Sequence, residues 1–123
     1  MHGRWAALGA VGLALASGSA SAAGPDLEYY TGEDLAAQCA AKPGDADYAV
    51  RQARCVGYVL GASDAEQARQ GLGGPIRICI TPTTGAQALA DAVRRFLDAH
   101  PDKRRLAAQD LVREALTDAF PCR

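Results

Sequence analysis

The sequence predicts an all-α fold, a four-helix, disulfide-stapled small domain with a short extended segment before the third helix. Three observations support this class. Apolar residues recur at spacings of three and four in four stretches of the 123-residue chain, which indicates amphipathic helices. Segments containing proline or glycine separate those stretches and end the helices. The chain also has four cysteines, and an even number in a short exported chain indicates a disulfide framework.

The N-terminal segment has the pattern of a secretory signal peptide. Arg4 supplies a positive charge, and the apolar run from Trp5 to Ala16 has the length of a signal core, roughly 7–15 residues. Residues 20–22 read Ala-Ser-Ala, which matches a cleavage site. A membrane-spanning helix needs ~20 apolar residues, so we expect cleavage and no membrane anchor. The predicted organisation is a signal peptide at 1–22 and a single domain at 23–123.

The first helix is predicted to begin after Thr31. Thr31 and Asp34 have the spacing of a capping box, in which each side chain accepts a backbone N–H of the other residue. Leu35 and Cys39 follow four residues apart and therefore lie on one face. The sequence Lys-Pro-Gly at 42–44 predicts the end of this segment.

The second helix is the longest. Asp45 or Asp47 is a candidate cap, and the glycine-rich segment 71–75 ends the helix. Glycine inside a helix costs roughly 1 kcal/mol relative to alanine, so Gly57 and Gly61 predict the close approach of another helix. The stripe predicted from helical spacing comprises Tyr48, Gln52, Cys55, Val56, Val59 and Leu60.

A short extended segment is predicted between the second and third helices. Ile76, Ile78 and Ile80 alternate with other residues, which predicts that the three isoleucines cover one edge of the core. Thr84 and Gln87 have the spacing of a second capping box. We therefore expect the third helix to begin at this point.

The third and fourth helices are predicted to form an antiparallel hairpin broken at residues 100–101, His-Pro. Such a hairpin brings Cys79, before the third helix, close to Cys122, after the fourth. We therefore favour Cys79–Cys122 among the three possible pairings, which leaves Cys39–Cys55. The predicted core faces comprise Leu89, Val93, Phe96 and Leu97 on the third helix, and Ala108, Leu111, Val112, Ala115, Leu116 and Ala119 on the fourth.

Composition and motifs argue against several classes of function. The formal net charge of −1 gives no basic excess, so nucleic acid is not an expected partner. The cysteines lack C-x-x-C spacing, and cleavage would leave His100 as the only histidine, so we expect no metal site, no thiol exchange and no cofactor. No activated nucleophile or paired carboxylates occur in the pattern that catalysis needs. We therefore expect a binding protein that is not an enzyme and has no catalytic residues.

Four motifs occur in a specific order. They are Cys55-x-Gly57-Tyr58-x-x-Gly61-x-x-Asp64-Ala65, Cys79-x-x-Pro82, Phe96-Leu97-x-x-His100-Pro101, and Leu111-Val112-x-x-Ala115-Leu116-x-x-Ala119-Phe120-Pro121-Cys122. Their order and spacing, from about residue 32 to 122, resemble the Rap/Tai immunity proteins of type VI secretion. The resemblance implies an all-helical, disulfide-bonded periplasmic protein, often a homodimer. Members of the family bind and inhibit a peptidoglycan-amidase effector toxin.

Two features limit how far the resemblance carries. The segment 102–107 lacks the proline expected near the start of the fourth helix. The motif residues are cysteines, glycines and core positions, so the resemblance transfers no effector-contacting residue. An alternative function, of another class, is a periplasmic disulfide-stabilised helical binding or stress protein that acts like a chaperone without an effector. A single histidine after cleavage argues against an acid-activated chaperone, because histidine is the side chain that titrates between pH 5 and 8.

The corner between the third and fourth helices is the predicted partner-binding surface. An inhibitor of a cleft enzyme needs a protruding element, and turns between helices protrude. A disulfide at the far end of the hairpin would make the corner rigid, which lowers the cost of ordering on binding. The glycine-rich loop at 71–75 and the exposed face of the third helix are alternative surfaces. The predicted contact residues are Asp98, His100, Asp102, Lys103, Arg104 and Arg105.

Overall fold

A computed structural model describes residues 29–123. The predicted signal peptide and its cleavage site lie outside the described residues. The described part of the chain contains four α-helices, one 3₁₀ turn and no β-strand, which confirms the predicted all-α class. These elements are α1 (Gly32–Cys39), α2 (Tyr48–Gly71), α3 (Ala86–Ala99), the 3₁₀ turn (Pro101–Lys103) and α4 (Ala108–Ala119).

The core lies between the four helices, each of which contacts the other three. Burial of leucine and valine stripes, worth about 1.5–3 kcal/mol for each fully buried side chain, brings the amphipathic faces together. The predicted faces of α3 and α4 are buried as expected, except that Ala119 at the end of α4 is exposed. The largest fully buried apolar side chains are Leu35, Val59, Val93, Leu97, Leu111, Val112 and Leu116.

The capping box at the start of α1 is confirmed. Thr31 Oγ1 accepts the Asp34 N–H at 3.2 Å, and Asp34 Oδ2 accepts the Thr31 N–H at 2.9 Å. Hydrogen bonds from the Thr31 side chain and backbone hold the pKa of the Asp34 carboxyl below its usual value. The first helix therefore begins at a capped point.

The second predicted capping box is wrong. Gly85 occupies the N-cap position of α3 and no side chain caps that helix. The Thr84 hydroxyl lies 3.0 Å from the Thr81 hydroxyl, while the Gln87 amide bonds to Gln52 on α2. The two side chains therefore have other partners, and these hydrogen bonds form in place of the capping box.

The start of α2 also differs from the prediction. Asp47 occupies the N-cap position, but its carboxylate makes no cap hydrogen bond and lies 3.5 Å from Arg51. Asp45 Oδ2 instead accepts the Lys42 N–H at 2.9 Å. Asp45 therefore closes the turn before α2 and does not cap the helix.

Both predicted disulfides are confirmed. Cys39–Cys55 joins α1 to α2 and is buried, whereas Cys79–Cys122 joins the two ends of the α3–α4 hairpin and has an exposed Cys79. The Cys79 N–H also donates to the Phe120 carbonyl at 2.9 Å. The hairpin is therefore closed both covalently and by backbone pairing at the same place.

The extended segment before α3 only partly follows the prediction. Ile78 is buried, with 4 % of its surface exposed, and pairs with Pro121 in an isolated β-bridge. Ile80 is half-buried, but Ile76 is 69 % exposed. Ile76 follows the Gly73–Pro75 turn directly, so the chain has not yet reached the core at that point.

No helix within residues 29–123 approaches Gly57 or Gly61, so the predicted close contact does not occur inside the described part of the chain. Both glycines are exposed on the outer side of α2, and a Cβ atom built on either would have no neighbour within 4 Å among residues 29–123. The described part of the chain therefore does not offset the cost of placing glycine there.

We expect replacement of Gly57 by alanine to stabilise the folded monomer by about 0.5–1 kcal/mol. The side chain meets open space, so the change removes backbone freedom from the unfolded chain without a clash. Urea unfolding at low protein concentration with an unchanged m-value would measure it. A loss of stability in Gly57→Ala would mean that another surface contacts this side of α2.

Candidate functional site

His100 lies in the corner between α3 and α4, residues 98–105, and its contacts stabilise the fold. The His100 N–H donates to the Phe96 carbonyl at 3.1 Å, and the His100 Nδ1 donates to the same oxygen at 2.8 Å. The imidazole ring also stacks on the Phe96 ring, with 4.2 Å between centroids. His100 thus ends α3 and covers the core, and its ring is only half-exposed.

Lys103 is also engaged within the molecule. Its ammonium lies 5.5 Å from the centroid of the Phe96 ring and forms an ion pair with Glu114 on α4. A cation over an aromatic face is attracted by the ring quadrupole. Lys103 therefore ties the 3₁₀ turn to both helices of the hairpin.

Arg104 is the most connected side chain of the corner. Its Nε donates to the Leu97 carbonyl at 2.9 Å, and its guanidinium lies 3.5 Å from Asp98 and 3.9 Å from Glu33. The side chain bridges the end of α3 and the start of α1. Asp98 itself is exposed and also lies 3.8 Å from Arg94. These contacts give Asp98 and Arg104 a structural role in the corner.

The start of α1 clamps the corner through backbone hydrogen bonds. The Gly32 N–H donates to the Leu106 carbonyl at 2.9 Å, and the Glu33 N–H donates to the Arg104 carbonyl at 2.7 Å. The Ala108 N–H completes the pairing by donating to the Tyr30 carbonyl at 2.8 Å. The first N–H groups of a helix have no intrahelical partner, and here the corner supplies the acceptors.

The backbone of α1 approaches the corner so closely that only glycine fits at position 32. A Cβ atom there would lie 2.9 Å from the Arg104 carbonyl oxygen and 3.0 Å from the Arg104 Cα, and would collide with the Leu111 side chain. The clamp and the close approach hold the corner rigidly. Rigidity before binding lowers the ordering cost of an interface.

A small group of side chains at the corner remains free for a partner. We call Asp102, Arg105 and Leu106 the exposed tip. Leu106 is 48 % exposed, and neither Asp102 nor Arg105 forms an ion pair within 4 Å anywhere in residues 29–123. The structure therefore brings all six predicted residues to one corner, but turns Lys103, Arg104 and His100 toward the fold.

Two tyrosines, Tyr30 and Tyr58, were not predicted as functional residues. The Tyr30 ring packs against Tyr58 of α2, with centroids 4.8 Å apart. Burial raises the pKa of both phenols. The pairing of Thr31 with Ala107 brings the chain before α1 to the start of α4, and this long-range contact leaves no local signal in the sequence.

A cleft of about 460 Å³ runs from the corner along α3. Asp98, Arg94, Asp91 and Gln87 form one wall, and the buried Cys39–Cys55 disulfide forms part of the floor. The remaining wall comes from the turn before α2 and its first residues: Ala40, Ala41, Lys42, Pro43, Tyr48 and Gln52. The α3 wall carries most of the charged side chains of the cleft.

The alternative surface at the glycine-rich loop lies at the opposite end of the third and fourth helices. Leu72 and Ile76 are strongly exposed there, and Gly73 has a positive φ of 93°. Residues 71–75 themselves carry no charged side chain.

No group of three or more His, Cys, Asp or Glu side chains within residues 29–123 is arranged to hold a metal ion. None of the helices in the same part of the chain is long and apolar enough to cross a membrane.

Comparison with protein-family models matches residues 31–122 to the family described as Rap1a immunity proteins. The match includes both disulfides, all four helices and the clamped corner. No curated protein and no solved structure matches the chain.

Proposed function

This chain belongs to the family of Rap1a immunity proteins, and from that membership we propose that it protects its cell by binding and inhibiting a toxin, specifically a peptidoglycan-amidase effector of a type VI secretion system. The observation that carries the proposal is the family match over residues 31–122. The amidase identity rests on the resemblance in the motifs. In this proposal the protein blocks its target by occupancy and does not turn over a substrate.

The periplasm is the compartment that we propose. Membership of an immunity family and two disulfides fit an extracellular or periplasmic protein, because such bonds persist where thiols are oxidised. The predicted signal peptide at 1–22 agrees with export. N-terminal sequencing of the exported protein would test this, and we expect a start near Ala23.

The exposed tip supports the corner as the effector-binding surface. It combines an arginine and a leucine on a rigid base. Arginine is enriched among interface residues that dominate binding energy. Because Lys103 and Arg104 hold the corner together, variants at those positions would disturb the fold as well as any interface.

We expect the double change Arg105→Glu with Leu106→Ala to weaken binding of the cognate amidase roughly tenfold, or about 1.4 kcal/mol. Both side chains are exposed, and the Leu106 carbonyl that accepts the Gly32 N–H is unchanged. Reversal of a rim charge should act mainly on the association rate and its salt dependence. Calorimetry at two salt concentrations would measure both effects.

Arg95→Glu on the exposed side of α3 provides the matched control. Arg95 is exposed and forms no ion pair within 4 Å in the part of the chain that the structure describes. Its replacement by glutamate changes the net charge by the same amount as Arg105→Glu. Unchanged affinity in the corner variant, with a loss in Arg95→Glu, would move the interface from the corner to α3.

We also propose, from the same resemblance, that the protein forms a homodimer. The outer side of α2 supports this, since Val50, Gly57 and Gly61 are exposed on one face and leave room for close approach. Sedimentation equilibrium over a range of concentrations would test it, and a monomer throughout would reject it.

A further inference from the structure

A buried carboxylate lies at the junction of α2 and α4. Glu66 has only 4 % of its surface exposed. Its Oε2 accepts hydrogen bonds from Arg69 at 3.0 and 2.7 Å, and its Oε1 lies 3.7 Å from Arg113 on α4. A charge buried to this degree is stable only when it is paired. Glu66 therefore fixes the positions of two guanidinium groups.

Further contacts restrict both arginines. Arg113 also pairs with Asp110, one turn earlier on α4. The backbone at Gly74 lies against Arg69, so that a Cβ atom built on Gly74 would be 2.7 Å from the Arg69 carbonyl oxygen and 3.0 Å from Nη1. These two guanidinium groups are thus held in place before any ligand arrives.

A third arginine reaches the same place from the extended segment. The Gln70 Oε1 accepts the N–H groups of Arg77 at 2.7 Å and Ile78 at 2.9 Å, which fixes this segment to α2. The Arg77 side chain is exposed and forms no ion pair within 4 Å with any described residue. Arg77 therefore has an unused guanidinium on an anchored backbone.

The three arginines line a single cleft of about 340 Å³, whose remaining wall is Pro75. We call it the arginine cleft. The three guanidinium groups form ion pairs with two carboxylates, those of Glu66 and Asp110. One positive charge in the cleft therefore lacks a counter-ion. An adjoining cleft shares Arg77 and Arg113 and is lined by Asp110, Glu114, Thr117 and Asp118. Glu114 is paired with Lys103, and Asp118 lies beyond ion-pair distance of Arg77.

We propose that the arginine cleft binds one carboxylate group, with Arg77 as its principal partner. The planar guanidinium fork matches a carboxylate and binds it through two parallel hydrogen bonds. A single uncompensated positive charge suits a monoanion better than the dianion of phosphate. The fixed positions of Arg69 and Arg113 reduce the entropy lost on binding.

A titration of ¹⁵N-labelled protein with sodium acetate, at constant ionic strength and pH 7, tests this. The Nε–Hε resonances of the three arginines should move along a saturable curve. Arg77→Gln should weaken acetate binding at least fivefold, whereas Arg95→Gln should leave it unchanged, because Arg95 is an exposed arginine outside the cleft. Since Arg77 is exposed and its backbone makes the hydrogen bonds to Gln70, the variant should keep the fold.

Shifts that stay linear with acetate, or equal affinities in Arg77→Gln and Arg95→Gln, would overturn the proposal, since general screening would explain them. Sodium phosphate bound at least tenfold more tightly than acetate would also overturn the assignment to a carboxylate. The carboxylate could belong to a free small molecule or to a side chain of a bound protein. Weaker binding of the amidase by Arg77→Gln would place it on the effector, and unchanged binding would place it on a separate molecule.

Discussion

Replacement of both Cys79 and Cys122 by alanine should lower the free energy of unfolding by about 4 kcal/mol. The bond closes a loop of 43 residues that holds α3 and α4, and the loop-entropy model gives about this value for that length. Natural domains are stable by only about 5–15 kcal/mol, so the variant should be close to unfolding at 37 °C. Chemical denaturation of the variant and the oxidised wild type would measure the difference.

The matched comparison is the loss of Cys39 and Cys55. Their loop of 16 residues gives about 3 kcal/mol in the same model, but both sulfur atoms are buried, so the alanine variant also loses core packing. The Cys79–Cys122 variant loses less packing, because Cys79 is exposed and Cys122 is only half-buried. A cost below about 1 kcal/mol for its removal would show that the backbone pairing at Phe120 suffices to close the hairpin.

Gly32→Ala should destabilise the protein by about 1–3 kcal/mol, the range for forcing an extra carbon into a packed site. The new methyl group would press on the Arg104 backbone at 2.9–3.0 Å and on the Leu111 side chain. Leu111 can rotate, but the Arg104 carbonyl accepts the Glu33 N–H and cannot move without breaking the clamp. Hydrogen exchange at Gly32, Glu33 and Ala108 should therefore accelerate more than exchange in the core.

Gly57→Ala is the control for this change, because the same substitution meets open space there. The two variants should shift the unfolding midpoint in opposite directions. If Gly32→Ala were neutral, the approach of α1 to the corner would be looser than described, and the corner could not be treated as rigid.

The helices and disulfides could be predicted because their signals are local or follow from simple geometry. The stripe from Leu89 to Leu97 records which side of α3 faces the core, and an antiparallel hairpin is enough to bring Cys79 to Cys122. The Thr84 box failed because the Thr81 hydroxyl, 3.0 Å away, is a competing hydrogen-bond partner for the Thr84 side chain. Spacing alone does not reveal such competition.

The position of the charged corner could be predicted from the sequence, but not which of its residues are free and which are engaged within the fold. The charge of the 98–105 segment marked the corner, but the partners of Arg104 and Lys103 include Glu33 and Glu114. Glu33 and Arg104 are far apart in the sequence, and no periodic pattern predicts a contact between such distant residues. For the same reason the sequence did not reveal Glu66, a glutamate in the polar part of α2 that is buried by two arginines.

The two disulfides divide the chain into separate covalent rings. One ring runs from residue 39 to 55 and the other from 79 to 122, so a single peptide cleavage inside either leaves the fragments joined. Only a cut between residues 55 and 79 breaks the covalent link between α1 and the α3–α4 hairpin while the disulfides remain intact. The exposed turn around Leu72 and Gly73 is the most accessible point in that interval, since exposed loop tips are preferred sites of nicking. Proteolysis at this turn would therefore give two fragments on a non-reducing denaturing gel, whereas a nick at the clamped corner would remain invisible until the disulfides were reduced.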